Sequence, residues 1–231
     1  MSIADKLTTI AGNMQKVYEA GQAAGSGGEN ALQYISQLKN TFQYTTFPDG
    51  YELLLDIPQF SGETIQQVAA STTKGLKKLT IKCGRSDITL KSLYGFYACN
   101  CVEEIDLSQF CDTEVVKVKD AHYLFYACGN LHTIVGVLDL TGCANLSNAF
   151  PAVTSLVNVR FLAGSIESSI GFNKSYNLSV ESVQSIADGL ADLTGKTTQT
   201  LTMPRPATVV NKLTDVQEAT ITTKNWTLVY I

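Results

Sequence analysis

Charge is scarce in this chain. Asp, Glu, Lys and Arg supply 16% of 231 residues, and the net charge is −4. A typical globular domain carries roughly 25% charged residues. The difference is taken up by Thr, Ser, Asn and Gly, a composition that suits many short strands and turns. No basic stripe is present, so nucleic acid is not an expected partner.

Histidine is scarcer still, with two in the chain. Neither His122 nor His132 has a Ser or Cys partner at a known catalytic spacing, and a catalytic base needs a positioned partner. The reading is therefore of no catalytic residues, no metal site and no cofactor. Gly25-Ser26-Gly27-Gly28 lacks the Lys and Ser/Thr of a phosphate loop and reads as a flexible joint. The N-terminus has no long apolar run, because Lys6 and Lys16 interrupt it, so no secretory signal is expected. Leu140 to Val159 is free of charge but holds Thr, Asn, Ser, Gly and Pro, which argues against a membrane span.

Six cysteines are present. Without an export signal, disulfides are not expected. Cys99-x-Cys101 has the wrong spacing for a zinc knuckle, and no His/Cys pair completes it. The expected role is that of small buried hydrophobes in a thiol ladder.

Against these absences stands a repeated apolar ruler. Phe96-x2-Cys99-x2-Val102-x2-Ile105-x-Leu107 recurs as Phe125-x2-Cys128-x2-Leu131-x2-Ile134. It recurs again as Phe150-x2-Val153-x2-Leu156-x2-Val159-x-Phe161. A weaker copy, Ala70-x2-Thr73-x2-Leu76-x2-Leu79-x-Ile81, precedes them, and the copies start 26, 29 and 25 residues apart. A period in that range marks stacked units, none of which can bury its apolar face alone. The expected fold is an α/β repeat: a leucine-rich-repeat solenoid with parallel strands, N-terminal helices and helix–strand capping repeats at the C-terminal end.

Residues 1–24 read as a helix for oligomerisation or docking. Ile3, Leu7, Ile10, Met14 and Val17 recur at heptad spacing, with Leu7 and Met14 at a and Ile3, Ile10 and Val17 at d. That choice shifts preference from dimers to higher oligomers, a trimer foremost. Residues 25–63 read as a linker, a second helix over 30–43, the turn Pro48-Asp49-Gly50 and a strand over Tyr51–Ile57. The repeats occupy 64–178.

Residues 179–231 change to helix–strand units. Ser179 caps a helix that carries Val180, Val183, Ile186, Leu190 and Leu193 and stops at Gly195. A strand follows at Thr200–Thr202, then a helix with Val209, Leu213 and Val216, then a strand at Thr227–Val229.

Within the repeats, Asp106 and Asp139 lie between apolar strand positions and would point out from the strand face, as solvated face residues in the first reading and as a carboxylate row in the alternative. Tyr94, Phe96 and Tyr97 recur as Tyr123, Phe125 and Tyr126. The Phe pair reads as an internal ladder. Tyr97 and Tyr126, whose phenols can face water, read equally as ladder or ligand surface. Tyr97, Tyr126, Asp106 and Asp139 are thus the candidate ligand surface.

Phe96-Tyr97-Ala98-Cys99 with Ile105-Asp106-Leu107, and Phe125-Tyr126-Ala127-Cys128-Gly129-Asn130-Leu131, resemble the BspA-like leucine-rich-repeat family over residues 64–178. The opening Ser2-Ile3-Ala4-Asp5-Lys6-Leu7 is similar to openings of tail-associated proteins in prophages of gut Firmicutes. So is the ending that runs from Leu178-Ser179-Val180 to Lys224-Asn225-Trp226-Thr227-Leu228. Family members on bacterial surfaces carry export signals and anchors, neither of which is read here.

The resemblance implies a non-catalytic structural or adhesive, receptor-binding component of a phage tail or related particle, made in the bacterial cytoplasm. Its N-terminal helix would meet itself or another particle protein, and its repeats a cell-surface protein or glycan. The alternatives are a bacterial surface repeat protein binding host ligands and a glycan-active enzyme on a repeat scaffold. Such an enzyme needs two carboxylates about 5–10 Å apart in a cleft.

Overall fold

The computed structural model describes residues 51–56, 64–66, 76–84, 86, 89–93, 95–146, 148–205 and 212–231. The heptad seam Ile3, Leu7, Ile10, Met14 and Val17, the expected helix over 30–43 and the Pro48-Asp49-Gly50 turn lie outside the described residues.

Short strands follow one another from the first described residue: β1 (Tyr51–Asp56), β2 (Thr64–Gln66), β3 (Leu76–Lys82), β4 (Leu90–Leu93), β5 (Glu104–Asp106), β6 (Val115–Asp120), β7 (Thr133–Asp139) and β8 (Asn158–Phe161). Among the described residues these form one eight-stranded sheet in the order β1-β3-β5-β7-β6-β4-β2, with β8 also on β7. Every pairing in it is parallel. The sheet is curled, and its two rows of strands converge on β7. Thr133–Val135 of β7 pairs with β5, and Val137–Asp139 pairs with β6.

The ruler explains this register. Leu53 pairs with Leu79, Leu79 with Ile105, and Ile105 with Ile134. Equivalent positions of the copies at Leu79, Ile105 and Ile134 therefore lie side by side, whereas β8 is offset, with Phe161 opposite Leu138. Leu79, Ile81, Ile105, Leu107, Val159 and Phe161 are all buried. The alternate positions form an outer row in which Lys78 meets Glu104 at 2.7 Å. Nearby, Lys77 meets Glu103 at 2.5 Å, and this hydrogen bond holds the Glu103 carboxyl below its ordinary range. Both pairs are partly exposed, so each contributes little to stability.

The Phe of each copy opens a turn that stacks on the next. Phe96 N donates to Leu124 O at 2.9 Å, and Phe125 N to Ala149 O at 2.9 Å. The rings form a buried ladder: Phe96 and Phe125 stack with centroids 5.4 Å apart, Phe125 and Phe150 are 5.4 Å apart, and Phe150 and Phe172 are 4.9 Å apart. Phe172 was not part of the ruler read from sequence. Phe172-x2-Ser175-x2-Leu178 is a further copy in which serine replaces Cys or Val. Ser175 is fully buried, and its hydroxyl donates to Val153 O at 3.1 Å.

These turns hold residues in the left-handed region. Ala98, Ala127 and Ala152, each two residues after its Phe, have φ of 56°, 59° and 62°. Tyr123 and Asn148, each two residues before a Phe, have φ of 52° and 55°. The strain recurs with the repeat, so it belongs to the turn geometry.

The C-terminal part contains β9 (Ile170–Gly171), α1 (Val180–Gly189), β10 (Gln199–Met203), α2 (Asp215–Thr223) and β11 (Trp226–Tyr230). β10 pairs in parallel with both β9 and β11, and Leu201 lies opposite Leu228. Ser179 caps α1 as expected, its hydroxyl accepting from Ser182 N at 3.1 Å.

Both helices differ from their expected bounds. α1 stops at Gly189, because Leu190 turns extended to bridge Ile166, and Ala191 N donates to Ile166 O. Gly189 sits where a Cβ would lie 2.9 Å from Phe161 Cβ, so the helix ends pressed against β8. α2 starts later than the apolar spacing suggested. Thr214 and Gln217 form a reciprocal capping box, and this sets the start. Val209 lies outside the described residues, and Leu213 precedes the helix as a buried residue.

The Tyr230 phenol donates to the Glu218 carboxylate of α2. Burial, then this hydrogen bond to a carboxylate, raises its pKa above the ordinary tyrosine value. A group whose pKa is raised on folding binds its proton more tightly in the folded state. Its contribution is complete below the unfolded value, about 10, and is lost as pH rises beyond it. Urea midpoints are expected to fall between pH 9 and pH 11, and Tyr230→Phe is expected to flatten that fall. An unchanged slope in the variant would rule this pair out as the cause.

Candidate functional site

Tyr97 and Tyr126 come together at the surface as equivalent residues of adjacent turns. Their rings stack with centroids 5.3 Å apart and an interplanar angle of 3°. Tyr123, which the sequence reading noted only as part of the offset, joins them. Its ring lies 6.1 Å from Tyr97 and 5.0 Å from Tyr126, edge-on to both. His122 meets Tyr123 at 4.5 Å and 87°, and its Nδ1 lies 3.2 Å from Asn145 Nδ2. All five side chains are half-buried. The two faces that Tyr97 and Tyr126 turn to each other are covered by the stack.

Asp106 and Asp139 both stand at the start of turns. Asp106 is in the outer row of its strand, opposite Thr80 and Val135, yet it is only 9% exposed. Its Oδ1 accepts from Ser108 N at 2.9 Å and Ser108 Oγ at 2.6 Å. Asp139 is half-buried, and its Oδ1 accepts from Thr141 N at 2.9 Å. The same bond recurs from Asp120 to His122 N and from Asp192 to Thr194 N, each at 2.9 Å. These aspartates close the backbone two residues on, which is how Asp initiates turns. Their carboxylates are engaged in turn formation. The signal was available in sequence as Asp-Leu-Ser and the twice-repeated Asp-Leu-Thr.

Cys143, His122 and Asn145 are the residue types of a thiol hydrolase, but they are not connected as one. The Cys143 thiol is buried and donates to the Asn145 carbonyl at 3.5 Å. Burial pushes its pKa up, against a smaller opposite pull from backbone groups of Asn145 and Ala121. A nucleophilic thiol needs the reverse shift. Burial raises Cys111 in the same way.

The six cysteines form no disulfide, and Cys83, Cys99, Cys111, Cys128 and Cys143 are buried, whereas Cys101 is half-buried. Brief alkylation of the native protein at pH 8 is therefore expected to modify Cys101 first. Peptide mass spectrometry showing Cys143 or Cys111 modified earlier would contradict this arrangement.

No protein-family model matches this chain, and no curated protein or solved structure does either. Among the described residues, no group of three or more His, Cys, Asp and Glu could hold a metal ion. No described helix is long and apolar enough to cross a membrane.

Proposed function

We propose that this chain is a non-catalytic recognition scaffold, a leucine-rich-repeat solenoid of the BspA-like kind. It serves as a structural or adhesive component of a phage tail or related particle. One observation carries the scaffold reading: three successive copies of the ruler occupy equivalent positions on neighbouring parallel strands, from Leu79 through Ile105 to Ile134. Such an architecture presents repeated surface positions at fixed spacing, which suits binding along a face. The half-buried tyrosine cluster supports adhesion, since tyrosine combines a large rigid contact area with a polar tip. The particle assignment rests on the similarity of the two chain ends to tail-associated proteins. The heptad seam Ile3, Leu7, Ile10, Met14 and Val17 gives the means of assembly.

Two measurements test the proposal. Mass spectrometry of particles purified from induced lysates is expected to find the chain at a constant ratio to tail proteins; its absence from washed particles would overturn the assignment. Light scattering is expected to give about three times the monomer mass for the full chain and the monomer mass for a chain beginning at Gly25. Monomers in both cases would defeat self-assembly through the seam.

A further inference from the structure

The two sheets end differently. β8 has β7 on one side. On its other side α1 takes the place of a strand. Val159 N donates to Ser182 Oγ at 2.9 Å and Phe161 N to Ser185 Oγ at 2.8 Å, and Ser182 Oγ donates to Val157 O at 2.9 Å. These serines satisfy backbone groups that an edge would leave open. Covering an edge with a helix is one way a fold prevents further strand pairing.

β11 has no such cover among the described residues, where β10 is its one neighbouring strand. Ile231 N donates to Met203 O, and Ile231 O accepts from Arg205 N. Backbone groups alternate in direction along a strand, so Thr227, Val229 and Ile231 direct theirs at β10. Those of Trp226, Leu228 and Tyr230 point away from it. No described residue makes a hydrogen bond to the outward N–H or C=O of Leu228 or Tyr230. Trp226-Thr227-Leu228-Val229-Tyr230 also lacks charge and proline, and its register with β10 is free of bulges. The devices that commonly blunt an edge are therefore missing.

The helix beside this edge is bare as well. Val216, Ala219, Thr220 and Thr223 are exposed on α2, at spacings of three and four that put them on one face. The hydroxyls of Thr220 and Thr223 donate to Val216 O and Thr220 O of the same helix, each at 2.8 Å. That face thus carries no charge and little free polarity.

We infer that β11 pairs antiparallel with the β11 of a second copy of this chain, about a two-fold axis through Leu228. Outward N–H and C=O groups call for another strand. A strand alone would leave the α2 face open, whereas a second copy brings its own α2 to the same side of the joined sheet. The register is self-complementary: Leu228 lies opposite its twin and Trp226 opposite Tyr230, so outward residues meet outward residues. No charged strand residues are brought together. Leu228 and Tyr230 are half-buried, whereas Leu201 and Met203, one strand inward, are buried; the pairing extends the cover by one strand. This interface is separate from the heptad seam. It is smaller than a standard interface of about 1,600 Å², so a single pair is weak, with a dissociation constant on the order of 0.1 mM. At micromolar concentration the seam alone sets the mass.

The test uses the full chain carrying Ile10→Asp, which removes the contribution of the seam whatever its state. Sedimentation velocity is expected to give the monomer mass when dilute and to approach twice that mass near about 1 mM, with little response to salt. Hydrogen exchange in the Trp226–Tyr230 peptide is expected to slow several-fold over the same range. Adding Thr227→Lys, a change to an exposed side chain, is expected to abolish the doubling at an unchanged melting temperature. Leu228→Pro deletes an outward N–H and no bond to β10, and is expected to act alike; if it fails to fold, Thr227→Lys decides. Three results would each overturn the inference: a monomer mass up to about 1 mM, doubling that survives Thr227→Lys, or slow exchange of Leu228 and Tyr230 at every concentration, which would put a segment of the same chain on the edge. The trimer measured on the unaltered chain at low concentration bears on the seam alone, so failure of either interface is read separately.

Discussion

Alanine in place of Phe125 is expected to remove about 3–5 kcal/mol of folding stability. Phe125 is an inner rung of the ladder, fully buried, stacked on Phe96 and in contact with Phe150. Truncation forfeits the transfer of a whole ring and leaves a cavity that neighbouring turns cannot close. Those turns are tied by Phe125 N to Ala149 O at 2.9 Å and by Ala98 N to Tyr126 O at 2.9 Å. A domain holds about 5–15 kcal/mol in total, so the variant should be close to unfolding at moderate temperature. Urea denaturation checks this through the midpoint at unchanged slope. A loss under about 1 kcal/mol would mean that the ladder packs loosely enough to relax, unlike ordinary close-packed cores.

Valine in place of Gly136 should do comparable damage by a different route. Gly136 has φ 112°, outside the small left-handed region that Asn or Ala can enter. It lies where β7 bends from its pairing with β5 to its pairing with β6. A Cβ there would meet Glu114 O at 3.4 Å and Leu107 C at 3.5 Å, both backbone atoms of the segment joining those strands. The Cβ itself would make ordinary contacts, so the cost comes from the backbone strain, about 1–3 kcal/mol. Gly164 supplies the comparison. Its φ is 69° and nothing lies within 4 Å of its would-be Cβ, so Gly164→Asn should change the midpoint little. Equal effects at the two positions would show that the φ of 112° at Gly136 has no greater energetic consequence than the φ of 69° at Gly164.

Much of the strand pattern was legible because its cause is local in sequence. Apolar residues three apart, ending in an alternating pair, can bury themselves only if each copy lies beside the next, and the pairing of Leu79 with Ile105 and Ile134 follows from that. The Phe172 copy escaped notice for a physical reason. A serine can fill the Cys position once its hydroxyl finds the Val153 carbonyl, and only the adjacent turn provides that acceptor. The turn-closing role of the aspartates was not legible from alternation, because alternation along a strand says nothing about where the strand stops. Asp106 and Asp139 stand at strand ends, where the nearest unsatisfied N–H is two residues ahead.

The sequence by itself determined the period, the apolar face and the parallel neighbours, since burial of a periodic face leaves few alternatives. It also determined the cap at Ser179, which depends on side chains within one helical turn. Tertiary structure alone decided that β7 spans both rows of strands through Gly136, because the bend depends on how β5 and β6 diverge. It alone decided where α1 ends, since Leu190 leaves the helix for a partner, Ile166, on another segment. And it alone brought Tyr123 and His122 to Tyr97 and Tyr126, because stacking of one turn on the next, not spacing along the chain, sets which rings touch.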